Sequence, residues 1–315
     1  MAGNPNGRTY LSLIQSSDNF PYDVTSGAYY QLFLPHDEQP HGYLLPETVR
    51  KMPWTSHFRV DHSAPRSVTV LDASLGEDTP GAVNTAFSEL VDICIERDLF
   101  HIIDGKHSEP VYIVSAKYPV RVERFASALF GVTLRGAYIM VYTRASDGAL
   151  KLWIPRRAAH LYTSPGLLDA AVAGGIKAGT TPLETAVQEA FEEASLPEDL
   201  VRERVRSAGA LTYISTTTDP FPGEKGLVIP NIIYVYDLEL PGNVVPKPND
   251  DEVQEFYLMA VPDVQRALLD GEFKPDSAVM IIDFLIRHGI LTADNEEDLV
   301  EITTRLHRRL PFRTR

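Results

Sequence analysis

Cysteine is almost missing from this 315-residue chain: Cys94 stands alone, so no intrachain disulfide can form and a reducing, cytoplasmic setting is expected. Basic residues are scarce as well. Lys and Arg total 29 against 43 Asp and Glu, a formal net charge of −14, and no Lys/Arg-rich run breaks that field. Such a surface repels a phosphate backbone, which argues against nucleic acid as a partner. A small phosphorylated ligand is a different matter, because a local basic pocket or a bound cation overrules the global field. Long apolar runs are lacking too. The longest, residues 278–286, is broken by Asp283 and is too short to span a bilayer, and the first nine residues lack the apolar core of a signal peptide. No membrane partner is therefore expected. Neither a Gly-x-Ser-x-Gly elbow nor a P-loop is present, which argues against a serine hydrolase and a P-loop kinase.

What remains has the makings of two cores, since the length allows a second domain. Residues 68–71 and 111–115 are rich in β-branched side chains and read as strands. Between them, Thr79-Pro80 reads as a cap and first helical residue, opening a helix to about residue 97 whose Val83, Phe87, Leu90, Val91 and Ile95 form one apolar stripe. From about residue 131 the pattern changes to strands at 137–143 and 150–154, joined by the hairpin signal Asp147-Gly148. Further strands are expected at 208–215, 228–240 and 253–259, with helices at 182–194, 262–270, 278–288 and 296–308. Strand runs alternating with isolated helices predict an α/β or α+β fold with a mixed sheet.

The most informative segment is Gly174-Gly175-Ile176-Lys177-Ala178-Gly179 and the helix after it. Thr181-Pro182-Leu183-Glu184 reads as a capping box, with Glu184 reaching back to the cap. At helical spacing, Leu183, Ala186, Val187, Ala190, Phe191 and Ala194 share one arc, and Glu189, Glu192 and Glu193 gather on a face away from it. Like charges at these spacings cost a few tenths of a kcal/mol per pair. No Lys or Arg lies on the helix to relieve them, whereas a hard divalent cation would. An isolated acidic triplet is most often a solvated helix face. The adjoining glycines, which allow close backbone approach, turn the reading toward a place that holds a metal and a diphosphate.

This stretch resembles the Nudix box, whose pattern is Gly, five residues, Glu, seven residues, Arg-Glu-(apolar)-x-Glu-Glu-x-Gly-(apolar). The resemblance implies a Nudix α/β/α sandwich with a mixed sheet, preceded by a smaller α+β N-terminal domain. The domains would be 1–130 (N-terminal, with a role in substrate recognition), 131–290 (Nudix) and 291–315 (C-terminal helix and tail). It implies metal-binding carboxylates at Glu189, Glu192 and Glu193, joined by a backbone carbonyl of Gly174 or Gly175, with Mg²⁺ or Mn²⁺ as cofactor. Three positions depart from the box: Thr180 replaces the upstream Glu, Gln188 the Arg, and Ser195 the late Gly. A further carboxylate is implied downstream in Asp251-Glu252-Val253-Gln254-Glu255, where Glu252 and Glu255 both stand as candidates for general base.

Arg156 and Arg157 end a strand that leads toward the pocket; neighbouring strand residues face opposite ways, so one at most contacts phosphate and the other makes a structural ion pair. Arg124 reaches either the substrate or an interdomain salt bridge. Trp54 and Trp153 read as core residues rather than stacking platforms, and His160 as an exposed loop residue.

A narrower resemblance rests on Glu123-Arg124, Leu152-Trp153-Ile154, Arg156-Arg157, Leu168-Asp169, Val172-Ala173-Gly174-Gly175 and Phe273-Lys274-Pro275. These residues are similar to a fungal and plant Nudix subfamily related to the portion fused to thiamine pyrophosphokinase in some yeasts. They imply hydrolysis of thiamine diphosphate, or of its oxidised analogues, to the monophosphate. The departures Ala158-Ala159-His160-Leu161 and Ala170 leave another organic diphosphate open, such as a prenyl diphosphate, and a non-catalytic binding module is the third reading. A homodimer is compatible with the superfamily, though no segment marks an interface.

Overall fold

The structure, a computed structural model, describes residues 7–23, 27–103, 109–219, 221 and 223–315. Six of the first nine residues therefore lie outside the described residues. In chain order the first part forms α1 (Tyr10–Ser17), β1 (Tyr30–Phe33), β2 (Gly42–Leu44), α2 (Pro46–Lys51), β3 (Phe58–Asp61), β4 (Ser67–Val70), α3 (Thr79–Glu96), β5 (Pro110–Tyr112), β6 (Arg121–Glu123) and α4 (Ser127–Phe130).

Strands β1 to β4 make one sheet in the order β2-β1-β4-β3, with β1 and β4 parallel and the other pairs antiparallel. Helix α3 closes the first core, burying Val83, Phe87, Leu90 and Val91 with Leu32, Val68 and Val70. Its stripe differs from the expectation in one residue: Ile95 is 37% exposed and Cys94 is buried instead. Cys94 follows Val83 by three helical turns and so faces the same way, whereas Ile95 is turned another 100° toward solvent. The cap also moves. Asp78 accepts from the Gly81 amide at 3.0 Å, while the Thr79 hydroxyl donates to Asp72 at 2.6 Å. Of the strand expected at 111–115 only β5 forms, paired with β6, because Ser115 adopts the left-handed region at φ 62° and ends it.

The second part forms β7 (Leu134–Arg144), β8 (Leu150–Arg157), β9 (Val172–Gly175), α5 (Pro182–Ala194), α6 (Glu198–Arg204), β10 (Arg206–Thr216), β11 (Val228–Glu239), β12 (Val253–Ala260), α7 (Val261–Asp270), α8 (Pro275–Arg287) and α9 (Leu299–Leu306). The Asp147-Gly148 turn joins β7 to β8 as expected, with Gly148 at φ 84°. The sheet runs β10-β11-β7-β8-β12 and is mixed, β11 lying parallel to β7.

Strand β7 is long enough to share one edge between two partners. Residues Tyr142–Arg144 pair with β8, and Gly136–Ile139 pair with β9. Two helix layers cover the sheet. On one face α5 and α6 bury Ala186, Val187, Ala190, Ala194 and Val201 against Ala137, Ile139, Val141 and Val172. On the other, α1, α7, α8 and α9 pack on Tyr138, Met140, Leu152 and Ile154. The result is the α/β/α sandwich with a mixed sheet. Helix α1 belongs to this second core despite its place early in the chain: Tyr10 and Ile14 are buried beside α8.

Candidate active site

Helix α5 begins where its cap residues place it. The Thr181 hydroxyl accepts from the Glu184 amide at 3.2 Å, and Pro182 occupies the first turn. The reciprocal half of the capping box is absent. The Glu184 carboxylate instead takes both nitrogens of Arg202, at 2.8 and 2.7 Å, because α6 packs beside α5 and brings a cation that backbone amides cannot match. At the other end Ser195 sits at φ 54°, the left-handed conformation for which the box carries glycine. Ser195→Gly is therefore expected to stabilise the fold by about 0.5–1 kcal/mol, measurable as a higher urea midpoint at unchanged slope.

The apolar arc of α5 is narrower than expected. Leu183 is 38% and Phe191 50% exposed, and the buried residues are mostly alanine. Small side chains let the helix axis run close to the sheet, so its flanking glutamates meet β9. Glu189 and Glu193 are thus tucked against the backbone rather than turned away from the core. The Ala173 amide donates to Glu193 Oε2 at 2.9 Å. Glu189 lies across Gly174, where a Cβ would stand 2.3 Å from its Cγ and 2.5 Å from its Oε1. Gly174 and Gly175 are strand residues of β9, not a loop, and their lack of a side chain serves this approach. Glu192 is exposed and accepts from Gln188 Nε2 at 2.8 Å, so Gln188 orients Glu192 and not Glu189.

Burial pushes the Glu189 carboxyl up to about 7, with Glu192 and Glu252 adding to the shift and Lys177 and Arg124 opposing it. Burial likewise raises Glu193 well above its ordinary value, reinforced by Glu189, Asp169 and Glu252. Carboxylates forced together in a partly dry place are short of positive charge. Two cations stand at the rim but are already engaged: Glu109 takes Lys177 Nζ at 2.7 Å and lies 3.7 Å from Arg124 Nη1. The Arg124 guanidinium covers Gly175, where a Cβ would be 3.0 Å from Cζ. Glu109 and Lys177 escaped the sequence reading. Lys177 sits inside the glycine motif and could have been found there, whereas Glu109 carries no local signal.

Beside Glu193 a small cleft is lined by Arg157, Asp169, Ala170 and Glu252. Arg157 donates to Asp169 at 2.7 Å and to the Thr163 carbonyl. Although burial works the other way, Lys274 and Arg157 hold the Asp169 carboxyl below its usual range, and Ser277 also donates to it. Asp169 and Lys274 were singled out only as motif residues; in the structure Asp169 braces Arg157, and Lys274 lies 3.8 Å from the same carboxylate. Arg156 faces the opposite side of β8, donating to the Gly166 carbonyl at 2.8 Å and to the Tyr257 hydroxyl at 3.2 Å. Glu252 is exposed on the cleft lip, whereas Glu255 accepts from Tyr257 beside Arg156. The structure therefore brings Glu189, Glu192, Glu193, Gly174, Gly175, Arg124, Arg157 and Glu252 together and leaves Arg156 and Glu255 apart. Trp153 is buried in the α5-side core, and Trp54 donates to the Val49 carbonyl at 2.8 Å. His160 is exposed, 3.5 Å from Asp251.

Among the described residues no three His, Cys, Asp or Glu side chains are already gathered at metal-ligand spacing. The chemistry of the donor set nonetheless fits a divalent cation. Two half-buried carboxylates with raised proton affinity, a third one helical step away and a side-chain-free backbone at Gly174 together offer oxygen ligands short of charge compensation.

Residues 133–283 match the family model described as the NUDIX domain. The uncharacterized protein YJR142W of Saccharomyces cerevisiae is 30% identical, over 98% of this chain and 93% of its own length. Two Arabidopsis thaliana proteins also match. Nudix hydrolase 20, chloroplastic, is 33% identical over 62% of this chain and 50% of its own length. Nudix hydrolase 24, chloroplastic, is 34% identical over 55% and 46%. The chain thus spans about half the length of each plant relative. No helix among the described residues is long and apolar enough to cross a membrane. The chain belongs to the Nudix superfamily and is a Nudix-type hydrolase, built on the helix and sheet that carry its acidic box.

Proposed function

We propose that this hydrolase cleaves the diphosphate of a small organic molecule to a monophosphate and phosphate, with Mg²⁺ or Mn²⁺ as cofactor, and that it works in the cytoplasm. The observation that carries the reading is the pair Glu189 and Glu193, half-buried against β9 with raised proton affinity. Glu189, Glu192, Glu193 and the Gly174 carbonyl would hold the cation, which when bound neutralises charge developing on phosphate oxygens. Arg157, held by Asp169, and Arg124, above Gly175, would bind those oxygens. Glu252, on the lip and facing Glu189 and Glu193, would take the proton of the attacking water. The division into an N-terminal recognition unit (1–130), a Nudix unit (131–290) and a C-terminal segment (291–315) belongs to this proposal, with α1 packing on the Nudix unit.

For the substrate, thiamine diphosphate or an oxidised analogue is the first candidate, on the strength of the subfamily motifs. One observation favours a second reading. Ala170, a departure from those motifs, lines the cleft beside Glu193, so a wall next to the carboxylates differs from the subfamily pattern. Formation of a monophosphate product from thiamine diphosphate, farnesyl diphosphate and ADP-ribose with Mg²⁺, wild type against Glu192→Gln, tests both readings. A monophosphate product lost in the variant supports the proposal, and the best substrate names the function. Inactivity on all three, or equal rates in both proteins, overturns it.

The cradle makes its own prediction. Gly174→Ala is expected to weaken Mg²⁺ binding at least about tenfold, because the new Cβ displaces Glu189. Calorimetric titration checks this, and an unchanged affinity would show that Glu189 does not need that position.

A further inference from the structure

A second cleft, of about 490 Å³, opens on the N-terminal sheet and shares no lining residue with the carboxylate cleft. One wall is the segment leaving β1. The others come from Arg59 of β3, Lys117 between β5 and β6, and Arg313 after α9. Three cations thus converge on one cavity in a chain whose overall charge is −14.

Two acids on the same wall, Asp37 and Glu38, offset them only in part. Asp37 is turned inward with a side chain 2% exposed, accepting from the Gln39 amide at 3.1 Å and lying 3.2 Å from His41 Nε2. Lys117 is 3.8 Å from Asp37 yet remains half exposed, and it is fixed by a 2.6 Å hydrogen bond to the His36 carbonyl. His36 takes the left-handed region at φ 59°, a conformation unfavourable for any residue with a Cβ, and thereby presents that carbonyl to Lys117. Arg59 and Arg313 are exposed and make no ion pair among the described residues, which leaves Glu38 as the exposed acid on the wall. Arg313 is delivered by its neighbour: the Phe312 ring packs edge-on against Tyr43 of β2, with centroids 4.7 Å apart.

We propose that this cleft is a second ligand site, for a phosphate group carried by a small molecule or free in solution. Two guanidinium forks and a fixed ammonium match the oxygens of a phosphate dianion, and the cavity is of the size that small-molecule sites occupy. A bound phosphate would tie the C-terminal segment to the N-terminal sheet, since Arg313 comes from one and Arg59 from the other. The proposal stands apart from the hydrolase chemistry, whose residues lie elsewhere.

The test is thermal melting and calorimetry in EDTA, with ionic strength held constant by NaCl, using inorganic phosphate and phenyl phosphate as probes. Wild type and Glu192→Gln are expected to bind saturably and alike, with a rise of a few degrees in Tm at a hundredfold excess over Kd. In the double variant Arg59→Gln/Arg313→Gln, whose changes are both at exposed positions, the affinity should fall at least tenfold and the shift vanish. The Tm without probe should match that of wild type. Tighter binding of phenyl phosphate identifies a phosphorylated organic ligand, and equal binding identifies the free ion. Absence of saturable binding in wild type, the same binding in the double variant, or an equal shift from chloride alone overturns the proposal.

Discussion

Glu193→Gln is expected to lower diphosphate hydrolysis by about 10³-fold, roughly 4 kcal/mol of transition-state stabilisation, and to make the metal-free protein more stable. Glutamine keeps the shape and still accepts from the Ala173 amide, so the change removes charge and little else. The sign of the stability effect follows from the raised proton affinity. The folded pKa of Glu193 lies above its ordinary 4.5, so the unfolded chain releases that proton more readily. Between 4.5 and the folded pKa, rising pH destabilises the wild type, and below 4.5 the penalty is gone. Glu189, pushed up to about 7, adds to the same trend, with its share growing from pH 4.5 to about 7. At pH 7.5 in EDTA the variant should be the more stable of the two, and the two proteins should converge near pH 4.5. Adding Mg²⁺ should stabilise the wild type and close the gap. Melting curves across pH with and without Mg²⁺, beside initial rates, separate the alternatives. A variant that is active, or no more stable than wild type, would mean that the acidic helix is only a scaffold.

Asp18→Asn is expected to produce the largest loss of stability, about 3–5 kcal/mol, or a fall in Tm on the order of 10 °C. Asp18 follows α1, and its side chain is 1% exposed. It lies 2.9 Å from Arg308 and 3.4 Å from Arg305, and accepts from the Ile214 amide at 3.1 Å and the Tyr22 hydroxyl at 2.7 Å. Arg308, equally enclosed, also donates to the Phe20 and Pro21 carbonyls. Removing the carboxylate charge strands a buried guanidinium and turns an amide donor toward other donors. Asp263→Asn is the control. Its ion pair with Arg266 is half exposed on both sides, and its loss should cost less than about 1 kcal/mol. Chemical denaturation of both variants decides the matter, and equal small losses would show that the Asp18 cluster contributes no more than a surface pair.

The two variants also divide what was legible in the chain from what was not. Glu193 could be found from sequence because its helix is specified locally. A Thr-Pro cap, a 3.6-residue rhythm and three glutamates all lie within a few turns, and α5 occupies the expected residues. The Asp147-Gly148 hairpin and the long strands of the second sheet were readable for the same reason. Strand β9 was not. Val-Ala-Gly-Gly has little strand propensity and pairs because β7 offers it an edge. Strands β1 to β3, three or four residues each, were missed too, being too short to show alternation.

Asp18 had no sequence signal at all, since its partner Arg308 is 290 residues away. Separation in sequence likewise keeps the parts of the site from marking one another. Sequence alone established the acidic helix, its start and the chemistry of its side chains, because those depend on neighbours within one or two turns. Tertiary structure decided which glutamates tuck against β9, that Glu184 pairs with Arg202 and not with its own cap, that Arg157 faces the cleft while Arg156 does not, and that Glu109 gathers Lys177 and Arg124 at the rim. Burial and ion pairing are set by what packs against a residue, and packing joins segments whose positions in the chain carry no mark of each other.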